Sequence, residues 1–420
     1  MSLMHIEEPP AAVRGATHLP HFQRHPLWRL GFRPFYLAAA LLAALAVPLW
    51  MARLYGWLDG FGAALHIGVG WHMHEMVFGM ASAVIVGFLY TAGRNWTGLG
   101  TPAGGKLAAI VLLWVAGRVA MLFGGGEAGA NASPPALLAA LVDLAFLPVA
   151  AWPLWRVLQQ SGNRRNYFLV GLLALLALAN AAYHAATLGW PGAVIAPGRA
   201  VQAAILLIVV MESAIGTRVI PMFTRNGAPG SAPVSHVRTD QGSIGLLAAT
   251  ALAWTAAAPA WLLAPLAGAA GALVLLRLWR WQPLRTVRVP LLWVLHLSYA
   301  WIGAGMLLLA LASMGMVSAS AAFHALAVGS MAGLIIGMMT RTTLGHTGRM
   351  LKAGRAETAM FVLIQLGALA RVAAALLSGI GGLYAALLLV SAACWSAAFA
   401  AYALVYAPYL ASARIDGKEG

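Results

Sequence analysis

Apolar runs long enough to cross a bilayer recur along this chain so densely that few folds are open to it. They occupy about 34–53, 64–91, 106–124, 135–155, 167–189, 198–221, 243–259, 261–278, 289–313, 318–340, 357–378 and 382–408. A hydrocarbon core takes about twenty apolar residues per helix, and a helix satisfies its own backbone amides within one crossing. The chain therefore reads as an all-α integral membrane protein of about twelve transmembrane helices. Of its 420 residues, 61% are hydrophobic and only 9% charged, outside the range of a soluble domain. The shortest connection, Ala257-Ala258-Pro259-Ala260, parts the seventh run from the eighth.

A formal charge of +15 would suggest nucleic acid, were it not for where the charges sit. Of the 26 Lys and Arg, 22 fall in segments on the side of the N-terminus. Arg53 and Arg199 fall on the other, and Arg118 and Arg371 lie within runs. That is the positive-inside bias. It predicts both termini cytoplasmic, an even number of crossings, membrane lipid as the surrounding partner, and no nucleic acid. Residues 1–29 read as a polar cytoplasmic tail carrying His5, His18, His21 and His25, residues 30–410 as one polytopic domain, and 411–420 as a second tail. The first 30 residues lack the form of a cleavable leader, so the first helix is expected to insert uncleaved. The lone Cys394 leaves no disulfide within one chain.

Sliding the sequence on itself by 250 residues places His74 on His324, Gly79 on Gly329, Ile85 on Ile335, Gly87 on Gly337, Thr97 on Thr347 and Gly98 on Gly348. An offset of 253 brings Arg118-Val119-Ala120 onto Arg371-Val372-Ala373. Gly216 and Gly227 keep the eleven-residue spacing of Gly87 and Gly98. The second, sixth and tenth runs are thus related, which predicts a pseudo-three-fold arrangement of four-helix units. A six-plus-six transporter would relate the second run to the eighth.

Ionisable groups inside apolar runs are costly and so mark function. Trp71-His72-Met73-His74-Glu75-Met76 holds three of them. At about 100° per residue, His72 and His74 face nearly opposite sides of a helix, suggesting two neighbours to serve. The charge count puts His72, His74, His184 and His324 in the outer third of the membrane, with Arg118 and Arg371 at a similar height. Imidazoles from several helices with guanidinium groups nearby fit haem held by axial histidines and by Arg at its carboxylates. On this reading His74 and His324 grip one haem, while His72 serves a second haem or metal with His184. Arg118 and Arg371 could instead reach for the interface. His66 reads as structural, and His296 as a separate site or a packed polar residue. Glu75, Asp143 and Glu212 are the acids within runs and the candidate proton donors. Glu75 could also orient a ligand histidine. Met73, Met76, Met80, Met331 and Met338 leave a soft copper site as an alternative. The inner ends of the sixth and tenth runs, dense in donors, could take an anion, a quinol head group or lipid phosphates.

Four stretches carry a family resemblance: Phe32-Arg33-Pro34-Phe35, Trp71 to Met76, Arg218-Val219-Ile220-Pro221-Met222-Phe223-Thr224-Arg225-Asn226, and Met339-Thr340-Arg341 through Gly348-Arg349. Together they resemble the NnrS family over nearly the whole chain. The resemblance implies a bacterial inner-membrane protein with haem b, one or two, and copper, linked to nitric oxide metabolism in denitrification and to protection from nitrosative stress. It marks His72, His74, His184, His324 and His346 as functional. The sixth run has no histidine, in contrast to the copper-binding helix of the haem-copper oxidase core, to which the twelve-helix plan bears a distant likeness. The expectation is a haem protein that binds or reduces nitric oxide, drawing electrons from quinol or another donor. The alternative is a transporter or an accessory protein without catalysis.

Overall fold

The computed structural model describes residues 25–58, 65–125 and 132–418. His5, His18 and His21 lie outside them. Among the described residues there are twelve long helices and no strand. In chain order they are α1 (Phe32–Leu54), α2 (Val69–Thr97), α3 (Gly104–Gly124), α4 (Pro134–Gln160), α5 (Tyr167–Thr187) and α6 (Pro197–Gly227). The second half comprises α7 (Val237–Thr255), α8 (Ala260–Arg280), α9 (Pro290–Ser313), α10 (Ala319–His346), α11 (Arg355–Leu376) and α12 (Gly381–Ala411). Eleven are long and apolar enough to cross a membrane. The exception, α7, has 19 residues and opens with Arg238 and Asp240, so its apolar stretch is shorter than its helix.

Helix starts follow local chemistry. Proline stands in the first turn of α4, α6 and α9, where its missing N–H costs no hydrogen bond. Ser133 and Ser318 cap α4 and α10 through their hydroxyls. Glu357 reaches back to the Gly354 amide at 2.7 Å before α11. Helix α2 stops at Gly98, whose φ of 68° is left-handed and suits a residue without a side chain.

Each helix packs on its sequence neighbour, and α12 returns to α1. There the Arg33 guanidinium donates to the carbonyls of Leu410 at 2.7 Å and Ser412 at 2.8 Å, so the first and last helices meet at the same end of the bundle. The most enclosed helices are α2, α10 and α6, with 89%, 83% and 67% of their apolar stretches buried against 39–61% elsewhere. Helix α6 touches both α2 and α10.

Two of these central helices share a departure from α geometry. After six residues ending in His74, α2 widens into a π segment, Glu75–Ala81. After six residues ending in His324, α10 does the same over Ala325–Ala332. A π turn leaves a carbonyl without its usual partner. In α2 the Trp114 indole N–H, from α3, donates to Gly79 O at 3.0 Å, alongside the Ser82 hydroxyl at 3.2 Å.

Candidate functional site

His72 and His324 open onto one cavity of about 310 Å³, at the end of the bundle where α2 and α10 begin. Its walls come from α2, α6 and α10, with Trp50 from α1, Arg371 from α11 and Trp395 from α12. The His72 ring stacks on Trp50, with centroids 4.0 Å apart and planes 11° from parallel. This contact fixes the imidazole plane, yet Nδ1 is buried without a hydrogen-bond partner among the described residues. His324 Nδ1 donates to the Ser320 carbonyl one turn earlier, at 2.7 Å. Since that oxygen can only accept, the ring proton sits on Nδ1 and the Nε2 lone pair is left for a ligand. The two rings are close enough to interact electrostatically.

Arg371 lines the same cavity. Its nearest hydrogen bond is a long one to Ser320 Oγ at 3.4 Å, and Nη1 is buried without a partner. No carboxylate among the described residues forms an ion pair with it. A half-buried guanidinium of this kind can receive a negatively charged group.

On the other side of α2 lies a second cluster, built from α2, α3, α4 and α5. His74 Nδ1 is 3.0 Å from Glu75 Oε1, and its Nε2 lies 3.1 Å from Asp143 Oδ2 and 3.0 Å from Asn180 Oδ1. His184 Nε2 reaches the same Asp143 oxygen at 2.9 Å, and the Asn180 amide donates to it at 2.7 Å. The Arg118 guanidinium donates to Glu75 Oε1 at 2.6 Å and also to Asp143 Oδ1. A Cβ at Gly79 would stand 2.9 Å from both the Arg118 guanidinium and Glu75 Oε2. Glycine there makes room for the ion pair.

Two carboxylates against one guanidinium leave the cluster one positive charge short. His74 has an oxygen acceptor at each nitrogen, so whichever nitrogen carries the ring proton can donate to one of them. A metal ion would solve the same electrostatic problem. Ligand atoms of His74, Asp143 and His184 all lie within 4.8 Å of one another.

The candidate residues thus divide into two groups. His72, His324 and Arg371 share the cavity, while His74, His184, Arg118, Glu75 and Asp143 share the cluster. Glu212 belongs to neither: its Oε2 accepts from Ser330 at 2.9 Å and it lines a second, smaller cavity. The expected pairing of His74 with His324 therefore gives way to His72 with His324, and that of His72 with His184 to His74 with His184. The reason is geometric, because a repeat matches positions in separate units without making them neighbours. Asn180, four residues before His184, and Ser320, four before His324, carried an i,i+4 signal that the sequence reading passed over. Trp50 had no such signal.

A family described as NnrS protein matches residues 26–414. The chain belongs to the NnrS family. No curated protein matches it. In this NnrS protein the four resembling stretches have distinct places. Arg33 of the first ties α1 to α12, and the second runs from the cavity into the cluster. The third and fourth meet where the Arg341 guanidinium lies 3.8 Å over the Phe223 ring. His346 ends α10, its ring centroid 5.6 Å from that of Phe32 at the far end of the bundle, away from both histidine groups.

Proposed function

We propose that this chain is a haem-binding protein of the bacterial inner membrane that binds or reduces nitric oxide and so protects against nitrosative stress. The observation that carries the reading is the meeting of His72 and His324, from two helices, across one cavity with the unpaired Arg371. The donor set fits haem b. His72 and His324 would be the residues that hold it, apolar walls of Met76, Val77, Ile205, Val328 and Met331 would suit a porphyrin, and Arg371 would suit its carboxylate. When bound, haem supplies an iron that takes nitric oxide and passes electrons.

Reduction joins two nitric oxides with two electrons and two protons to give nitrous oxide and water. The electrons come from quinol or another membrane donor. Protons come by way of this chain's buried acids: Glu212 is the candidate outside the Arg118 ion pairs, while Glu75 and Asp143, ionised beside Arg118, would first have to take up a proton. Trp50 keeps the His72 ring in plane, and Ser320 keeps the His324 proton on Nδ1. The His74–Asp143–His184 cluster supports a second reading alongside the first, a non-haem metal site for copper. Its three ligand atoms stand within reach of one ion. A second haem there would have to displace the Arg118 ion pairs.

Purified protein should carry haem in stoichiometric amount. His72→Ala and His324→Ala should each lose most of the Soret absorbance, whereas His74→Ala should keep it. Full haem in both of the first two variants would overturn the assignment, and no haem in the parent protein would favour a transporter or accessory role.

A further inference from the structure

Helix α6 carries a polar stripe that neither histidine group uses. Ser213, Thr217 and Thr224 fall within about 40° of one another around the helix, at separations of four and seven residues. Each meets a polar side chain on a neighbouring helix. Ser213 Oγ and the Tyr299 hydroxyl of α9 are 3.0 Å apart, and Thr224 Oγ1 lies 2.8 Å from His296 Nε2. Arg277 of α8 donates to Ser213 Oγ at 3.0 Å and to Thr217 Oγ1. Its Nε also stands 3.0 Å from Asp240 Oδ1, an ion pair off the line of the N–H bond. Asp240 is in the first turn of α7, at the end of the bundle opposite the histidine cavity, with its side chain 13% exposed.

The stripe leads upward to Glu212. Tyr299 packs on Gly216, and Gly216 and Glu212 line the same space of about 100 Å³. The Tyr36 side chain lines it too, and its hydroxyl, near Thr342, makes no well-formed hydrogen bond. A space of this size exceeds what one water needs, and a carboxyl and a phenol give water partners to bond. The Tyr299 hydroxyl lies within electrostatic reach of both Asp240 and Glu212. From here the histidine cavity is one helical turn away along α6 and α10: Ile205 lines the cavity and Ile208 the lower space, as do Met331 and Leu334.

We propose that this stripe is a proton-delivery route, with Asp240 as its mouth, Tyr299 and Ser213 as its relay, and Glu212, hydrogen-bonded to Ser330 beside the cavity-lining Met331, as its terminal donor. The proposal rests on the reading of the cavity as a site of nitric oxide reduction. Each turnover consumes two protons, and the quinol or other donor supplies the two electrons. Asp240 takes a proton from the aqueous side, with Arg277, His236 and Arg280 the charged or titratable groups around it. Water carries the proton from Asp240 past Arg277 to the Ser213–Tyr299 pair, which passes it on by reversing its hydrogen bond, and water in the smaller space hands it to Glu212, which releases it toward the cavity. Arg277 holds the hydroxyls in line and never gives up a proton itself. Its charge is offset by Asp240.

The test uses full-length protein in detergent and in sealed vesicles, with a chemically reduced quinol and nitric oxide. Asp240→Asn, Glu212→Gln and the gentler Tyr299→Phe should keep the Soret band and the nitric oxide-bound spectrum. Their steady-state consumption of nitric oxide should fall by about tenfold to a hundredfold. Asp240→Glu should restore the rate, which a purely structural role for the ion pair would not require of so altered a side chain. In vesicles, a trapped pH dye should show uptake from the Asp240 side. Wild-type rates in all three variants, or uptake from the cavity side, would overturn the route and leave the cavity reading intact. A parent protein that binds haem but consumes no nitric oxide would overturn both.

Discussion

Arg118 and Arg371 show how the same residue type comes to opposite ends according to its partners. Arg118 answers two buried carboxylates, so its loss leaves Glu75 and Asp143 facing each other with only His74 between them. Arg118→Met should destabilise the protein by about 3–5 kcal/mol. Adding Glu75→Gln, which removes the surplus charge, should recover a large part of this, read as the detergent-solubilised melting temperature. Arg371 forms no ion pair with a carboxylate among the described residues, and on the proposed reading it would meet an anionic ligand. Arg371→Leu should therefore leave the apo-protein at least as stable as the parent while weakening haem retention, measured by haem transfer to an apo-acceptor. These two groups were legible as intramembrane charges, but their partners were not. Sequence distance says nothing of which face of α2 looks at α4 and which looks at the axis. For that reason His74, matched to His324 by the repeat, turned out to be hydrogen-bonded to Asp143 instead.

Among the helices, the π segments of α2 and α10 decide what the histidines face. A turn that holds more residues than an α turn rotates everything before it, here Val69–His74 and Ala319–His324. Deleting Phe78 should return α2 to α geometry and turn the outer stub by about 100°. His72 would then leave the cavity, so haem content should collapse while far-ultraviolet circular dichroism still reports a helical protein. The fold itself was readable from hydropathy, since every predicted run corresponds to a helix. The ends of α2, α6 and α10 were not. Hydropathy stops them near 91, 221 and 340, but they run on to Thr97, Gly227 and His346. The added turns are polar on the outside and held by neighbours, as where Arg341 covers Phe223. Glycines at 98, 227 and 348, matched in the repeat, mark where these helices stop, and Gly227 and Gly348 also lie against Leu292 and Asp416.

For the whole molecule, the Arg33 contacts with Leu410 and Ser412 require the start of α1 and the end of α12 to lie on one side of the membrane. The charge count independently predicts that this side is the cytoplasm, since the segments there carry 22 of the 26 Lys and Arg. The two arguments share no residue contacts, so they can be tested together by position alone. With Cys394→Ser removing the one native thiol, single cysteines can be placed at exposed sites at either end of the bundle. Ala413→Cys follows α12, and Ala193→Cys lies between α5 and α6, near His184 and the cavity end. A membrane-impermeant maleimide should label Ala193→Cys in spheroplasts and Ala413→Cys only after lysis. Labelling of Ala413→Cys in intact spheroplasts would invert the molecule. The cavity would then face the cytoplasm, Asp240 would face outward, and protons for any reduction of nitric oxide would have to enter from the periplasm against the positive-inside bias.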